Sequence, residues 1–417
     1  MSKFTEYADS FQAVAHLKLE NIKLLTEFLN NPQDDLKFIH VAGTNGKGSV
    51  CSILQTALTY AGLKTGKYIS PNLISVCERI SVDGENIKQT ELESVMKEVK
   101  KAADKAFKKT GEYPTQFELW TAAAFLYFKE KKVDIVILET GLGGDRDATN
   151  VVKNTICSVI TKISYDHMTY LGDNIREIAK AKAGIIKENG INVTAVQEEE
   201  AMEVIRRKAK ELNNELFVVK SPESKGISGI CEIFDLEEIK DIKCALGGIY
   251  QLENAAIAAK VLKCLKFNSE IIRYGIENAK NPARFELLSE NPLVVFDGAH
   301  NPDGVELFSQ SIDRYFKDKS KNFVMAVMAD KDIDKMADIL LKYSFNLKSK
   351  FYTVAVKNNP RSQNAVKLSE ILKEKGFITE ACSSVKEAVD KAAENAEAVF
   401  VFGSLYLYKD LIEEKQI

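Results

Sequence analysis

The sequence has no excess of charge of either sign. Its 417 residues carry 57 Lys and Arg against 60 Asp and Glu, a net charge of −3. Nothing in that balance points to nucleic acid or a membrane surface as a partner, although a local basic pocket for a small anion remains compatible with it. There is also no long apolar run. The longest stretch without Asp, Glu, Lys or Arg is Gly48 to Leu63, 16 residues holding Ser, Thr and Gln, too short and too polar to span a bilayer. The N-terminal MSKFTEYADSF is charged and lacks an apolar core, so no secretory signal is expected. The seven cysteines, at 51, 77, 157, 231, 244, 264 and 382, are odd in number and never spaced C-x-x-C. Neither a zinc site nor a disulfide framework is expected, and the thiols suit a reducing cytosol. No internal repeat or low-complexity tract occurs.

What is present is an alternation of strand-like and helix-like segments. Lys37–Ala42, Val133–Leu138 and Thr155–Ile163 read as β-rich strands. From Ser49 the apolar residues Val50, Ile53, Leu54, Ala57, Leu58 and Ala61 fall at helical intervals, with Gly62 as a stop. Ile175–Lys187 carries helical spacing. A second series begins with the strand Leu293–Phe296, then a helix bearing Val305, Phe308, Ile312, Tyr315 and Phe316. Strands at Asn322–Met328, Phe351–Val356 and Ala398–Phe402 follow, with helices between them. The pattern predicts an α/β protein with parallel sheets: a large N-terminal domain and a smaller C-terminal one, and a ligand between them. The polar, proline-ended Leu288–Pro292 places the boundary, giving domains of 1–290 and 291–417.

The strongest motif is Gly43-Thr44-Asn45-Gly46-Lys47-Gly48-Ser49, set between a strand and a helix. Glycines let backbone N–H groups turn toward phosphate oxygens, and the helix N-terminus adds partial positive charge. Lys47 supplies a point charge for the β- and γ-phosphates, and Ser49 a hydroxyl for Mg²⁺ or phosphate. The string departs from G-x-x-x-x-G-K-[ST], because Val41 stands at the first glycine and Gly48 separates Lys47 from Ser49. A kinase- or GTPase-type loop is therefore disfavoured.

Within HVAGTNGKGSV this loop resembles that of the folylpolyglutamate synthase and dihydrofolate synthase family, of the Mur-ligase type. Ser70-Pro71-Asn72-Leu73 with Glu78-Arg79-Ile80, Glu139 to Gly144 with Asp147 to Asn150, Asp166-His167, and Lys182 to Lys187 are similar to further family signatures. So are Gln251 with Asn254, Arg284, Asp297 to Pro302, and Gly403 to Tyr406. The matches run in family order over nearly the whole chain. Asn72, Asp145-Arg146, Tyr250 and Ala283 depart from the usual residues, and no Trp precedes Pro282.

The resemblance implies a P-loop-type, Mur-ligase central domain binding ATP and folate, followed by a Rossmann-like ligase domain. It implies an ATP-dependent ligase that phosphorylates a folyl γ-carboxylate, or dihydropteroate, and lets the amino group of L-glutamate displace the phosphate. Catalytic roles fall to Lys47, Lys182 and His300. ATP contacts fall to Thr44, Asn45, Gly46, Lys47, Gly48, Ser49, Asn254, Arg284, Asp297 and His300. Two Mg²⁺ ions are implied, with Ser70 and Glu139 on one, His167 on the second, and Lys182 contributing as a carbamate. Thr115, Gln116, Phe117 and Glu118 resemble the dihydropteroate segment of bifunctional members, and Arg146, Asp147 and Ala148 join them as folate contacts. His40 reads as structural, and His16 has no role. The substrates implied are small molecules, the protein monomeric and cytoplasmic.

Three alternatives are weighed against this. A monofunctional polyglutamate synthase would lack dihydropteroate activity. A cell-wall Mur ligase would need an additional N-terminal domain, and only 42 residues precede Gly43. A nucleotide-dependent switch would need the phosphate loop but not Asp297 and His300.

Overall fold

Continuous apolar runs of β-branched residues bury well only when a sheet is covered on both faces. Two such sheets organise the chain in the computed structural model, which describes residues 18–415. The first comprises β1 (Phe38–Ala42), β2 (Thr65–Tyr68), β3 (Ile80–Val82), β4 (Glu85–Asn86), β5 (Ile135–Glu139), β6 (Thr155–Ile160), β7 (Ile191–Ala195) and β8 (Glu215–Val219). Their order is β4-β3-β2-β5-β1-β6-β7-β8. From β2 to β8 all neighbours pair in parallel, whereas β3 and β4 add an antiparallel edge. Every residue of β1 and β5 is buried, as befits central strands.

The chain then forms β9 (Ser224–Ser228) and β10 (Cys231–Leu236), an antiparallel pair, and β11 (Ile239–Lys243). The second large sheet holds β12 (Glu286–Glu290), β13 (Leu293–Asp297), β14 (Lys321–Met325), β15 (Lys350–Thr353), β16 (Ile378–Ala381) and β17 (Ala398–Phe402). Its order is β12-β13-β17-β14-β15-β16, parallel except for β12.

Two compact units result. The first takes the chain to Glu223 together with Asp235–Ile242 and Glu253–Ala279; the second takes Ser224–Phe234, Lys243–Leu252 and everything from Lys280. The polar stretch at Leu288–Pro292, read above as a boundary, is occupied by the end of β12 and the turn into β13. Hairpin turns and linkers share a composition because both expose backbone to water, so polarity and a proline could not separate them.

The core of the first unit gathers Trp120, Phe125 and Phe128 from the Gln116–Lys131 helix against Phe38 and Tyr68 of the sheet. The second unit has a phenylalanine core. Phe323 stacks on Phe351 with ring centroids 4.5 Å apart, and Phe345, Phe400 and Phe402 surround it. All seven cysteines are free thiols. Among the described residues no helix is long and apolar enough to cross a membrane. His16 lies outside the described residues.

Strand and helix centres fall where the periodicity puts them, with shifted ends. The helix expected from Ser49 begins at Lys47 and runs to Tyr60, because Gly46 takes a left-handed φ of 91° and turns the chain two residues earlier. The helix expected over Ile175–Lys187 stops at Ala183.

Candidate active site

The phosphate loop leaves β1 after Ala42 and is pinned to the loop following β6. Thr44 N–H donates to Lys162 O at 2.8 Å, and the Thr44 and Ser164 pair exchange two bonds of 3.0 Å. The Thr161 hydroxyl donates to Asn45 O at 2.7 Å. Two glycines are sterically obligatory here. A Cβ on Gly43 would lie 1.8 Å from Thr161 Oγ1, and one on Gly46 would lie 2.2 Å from Asn254 Oδ1. Asn254, expected at the nucleotide, therefore lies against the loop itself.

Lys47 opens the helix and folds back, donating to Gly43 O at 3.2 Å and Thr44 O at 3.1 Å. Lys182, from the last turn of the Ile175–Ala183 helix, donates to the same Gly43 O at 2.8 Å. Two amines thus meet one carbonyl. Burial, then the neighbouring Lys47 charge, lower the Lys182 pKa to about 7. An amine in that state is a substantial fraction neutral at physiological pH.

At the C-terminal end of β5, where ligands of open α/β sheets collect, stands Glu139. It is 5% exposed, and its Oε2 accepts the Ser70 N–H at 3.1 Å. Ser70 and Glu139 are thus brought together as the resemblance implies. Lys67 on β2 is a cation the sequence reading missed. Its pKa is lowered by burial, and the Glu139 charge opposes that shift. After Ser70 the loop is held by Glu78, whose carboxylate accepts N–H groups of Leu73 (2.7 Å), Ile74 (3.0 Å) and Ser75 (2.7 Å). Asn72 Oδ1 accepts from Arg79 Nε at 2.7 Å.

The glycine-rich loop after β5 is organised by Asp147. Its Oδ2 accepts from Leu142 N–H at 2.8 Å, and its Oδ1 from Thr149 N–H at 3.0 Å and Thr149 Oγ1 at 2.5 Å. That hydroxyl lies 2.8 Å from His40 Nε2. Since the single hydroxyl proton is committed to Asp147, His40 must donate from Nε2. Burial, with the Lys187 charge, holds the His40 pKa down at about 3. Asp147, expected as a folate contact, is buried and holds the loop with both oxygens. Ala148 is buried in the core, and Arg146 lies beside Asp145, 3.7 Å from Nε to Oδ2.

Thr115 and Glu118 form a capping box for the Gln116–Lys131 helix. Glu118 Oε2 accepts from Thr115 N–H (2.7 Å) and Thr115 Oγ1 (2.9 Å). Phe117 packs against Gly141, where a Cβ would come within 2.5 Å of its ring, so this segment and the glycine loop are neighbours. His167 precedes the short Met168–Leu171 helix with φ 53°, exposed and 3.9 Å from Asp166 Oδ2. Tyr165, Met168 and Tyr170 beside it are exposed.

Among the described residues no group of three or more His, Cys, Asp and Glu converges as a ready metal site. A buried carboxylate steadied by a backbone N–H nevertheless suits a hard cation that keeps water and phosphate among its ligands.

In the second unit the Asp297 carboxylate closes β13. Its Oδ1 accepts from Ala299 N–H (2.7 Å), and its Oδ2 from Phe285 N–H (2.9 Å) and the Tyr250 hydroxyl (2.6 Å). Arg284 lies over Gly298, where a Cβ would meet its Nη1 at 2.4 Å. His300 Nδ1 is 2.8 Å from Gly298 O, so Nδ1 carries the proton in this contact. Arg284, which precedes β12, thereby meets Asp297 and His300 at the loop that follows β13. Tyr250, noted above only as a departure, has no sequence signal for this contact, which joins residues 47 positions apart.

Comparison with known proteins places the chain as follows. Residues 41–262 match the Mur ligase middle domain, and residues 283–405 the Mur ligase glutamate ligase domain. The dihydrofolate synthase/folylpolyglutamate synthase of Bacillus subtilis is 34% identical, covering 94% of each chain. A folylpolyglutamate synthase of Mycobacterium tuberculosis, solved with ADP and AMPPCP, superposes with a TM-score of 0.91 at 26% identity, over 98% of this chain and 97% of that one. An Escherichia coli relative solved with DHPP and ADP gives 0.86 at 28% identity, over 100% and 98%.

Proposed function

Because the chain belongs to the folylpolyglutamate synthase and dihydrofolate synthase family of Mur ligases, and is an ATP-dependent ligase forming a C–N bond with glutamate, we propose that it is bifunctional. It adds the first L-glutamate to dihydropteroate and then extends folyl tails at the γ-carboxylate. A carboxylate oxygen attacks the γ-phosphorus of ATP, and ADP leaves. The glutamate amino group attacks the acyl carbon, the phosphate departs with that oxygen, and the amine loses a proton. Most of the work is positioning and neutralising charge.

The observation that carries the ATP-dependent chemistry is the seating of Lys47. It lies at a helix N-terminus on a loop whose Gly43 and Gly46 admit no side chain, so backbone and ammonium can close on phosphate oxygens. In this proposal Thr44, Asn45, Gly46, Gly48 and Ser49 line the triphosphate, and Asn254 supports Gly46. Arg284, Asp297 and His300 are further nucleotide contacts, with Asp297 taking a ribose hydroxyl. Ser70 and Glu139 would hold one Mg²⁺ and His167 would help hold a second, with a carbamylated Lys182 as a further Mg²⁺ ligand; bound Mg²⁺ offsets the phosphate charge. Carbamylation joins the neutral Lys182 amine to CO₂ with release of a proton. In this proposal the first compact unit serves nucleotide and folate binding and the second the ligase function. A cytoplasmic monomer belongs to the same proposal.

One observation favours the monofunctional alternative. Thr115 and Glu118 already satisfy each other as a helix cap, so their presence requires no pteroate. The test supplies purified protein with ATP, Mg²⁺ and L-glutamate, and either dihydropteroate or tetrahydrofolate. Glutamylated product from both supports bifunctionality. Product from tetrahydrofolate alone leaves the monofunctional reading, and no glutamate-dependent ADP release with either removes the function.

A further inference from the structure

We propose that Tyr250 is a positioning residue of the nucleotide site, fixing the Asp297 carboxylate through its phenol so that one oxygen is aimed at a ligand hydroxyl. This rests on the reading of Asp297 as a nucleotide contact. A carboxylate oxygen accepts about two hydrogen bonds. On Asp297, Oδ2 is filled by Tyr250 Oη–H and Phe285 N–H, whereas Oδ1 holds Ala299 N–H and retains room for one more donor. Without the phenol, Oδ2 would lose a donor inside the protein. The carboxylate could then turn about its terminal bond, and the ligand would meet a less ordered acceptor.

The local chain is built to bring the phenol there. Gly248 adopts φ 96°, and a Cβ on it would lie 2.8 Å from the Tyr250 ring. A Cβ on Gly247 would lie 2.4 Å from Phe285 O. Ile249 N–H donates to Ser311 Oγ at 3.2 Å, anchoring the turn on the Pro302–Phe316 helix. The glycine pair thus lets the ring slide beneath the Phe285 backbone toward Asp297. Burial and the adjacent Asp297 charge hold the phenol pKa well above its usual value, so the hydroxyl remains a donor at neutral pH.

The experiment compares the full chain with Tyr250→Phe and Asp297→Asn, following glutamate-dependent ADP release with ATP and with its 2′-deoxy and 3′-deoxy analogues. Removing one hydrogen bond to a charged group should raise KM for ATP roughly tenfold in Tyr250→Phe, with kcat little changed. The preference for ATP over the deoxy analogue whose hydroxyl Asp297 binds should narrow in the same variant, beside the modest fall in Tm that losing a donor to a buried carboxylate brings. An unchanged KM and preference overturns the proposal. So does an equal loss for all three nucleotides, which would make Tyr250 structural only. If Asp297→Asn itself alters neither KM nor preference, the reading of Asp297 falls. If Asp297→Asn does both and Tyr250→Phe does neither, only the role of Tyr250 is lost.

Discussion

His40 should make the first unit sensitive to mild acid. The ring is buried on β1, donates from Nε2 to Thr149, and has no hydrogen-bond partner at Nδ1. Protonation would place a cation there with Lys187 nearby, so the pKa falls from 6.5 to about 3 in the folded chain. The sign follows from proton uptake. Below pH 6.5 the unfolded chain binds a proton that the folded chain refuses, so the stability from neutral His40 is whole above 6.5. It is lost progressively as pH falls toward 3. At about 1.4 kcal/mol per unit, this amounts to about 2 kcal/mol between pH 7 and pH 5. Burial raises the Asp147 carboxyl instead, which acts in the opposite sense, but that group is common to wild type and variant. Urea unfolding at both pH values, for wild type and His40→Gln, therefore isolates the imidazole: the wild type should lose about 2 kcal/mol more than the variant on acidification. Ring ¹⁵N shifts should show a neutral Nε2–H tautomer through pH 5. Equal acid sensitivity in the two proteins, or a His40 resonance titrating near 6.5, would refute the reasoning.

Lys47→Met should leave the fold intact and reduce glutamate-dependent ADP release by roughly 10²- to 10³-fold, the scale of losing one transition-state donor; near-normal turnover would contradict the phosphate role. Gly46→Ala must place a Cβ 2.2 Å from Asn254 Oδ1 at a left-handed φ. Calorimetry should show ADP binding weakened, with about 1–3 kcal/mol of strain in unfolding experiments. Phe323→Ala removes a ring stacked 4.5 Å from Phe351 and should cost about 3–5 kcal/mol by urea denaturation of the second unit. Chelating Mg²⁺ should abolish turnover reversibly, restored by titrating the ion back.

Much of this architecture was legible because buried parallel strands announce themselves as apolar runs. Ala398–Phe402 was read to the residue, since all five of its side chains are buried and its flanks are polar. The phosphate loop was equally plain, being dictated by backbone sterics that only glycine satisfies. Tertiary hydrogen bonds were not legible. Nothing local connects Tyr250 to Asp297, or His40 to Asp147 through Thr149, because partners 47 and 109 residues apart leave no spacing rule. Asp147 illustrates the same limit: its motif marks the loop, but only the fold shows both oxygens turned inward to N–H groups.

The polypeptide passes repeatedly between its two compact units, since Asp235–Ile242 and Glu253–Ala279 return to the first after segments belonging to the second. A single cut therefore cannot yield two self-sufficient halves. Severed after residue 290, the leading fragment would carry Tyr250 and β12 away from the strands they lean on, and the trailing one would lose the Phe285 ring that packs against Phe308, Tyr315 and Phe316. Any scheme to exchange the ligase portion between relatives, in the laboratory or over evolutionary time, must transplant several interleaved pieces at once.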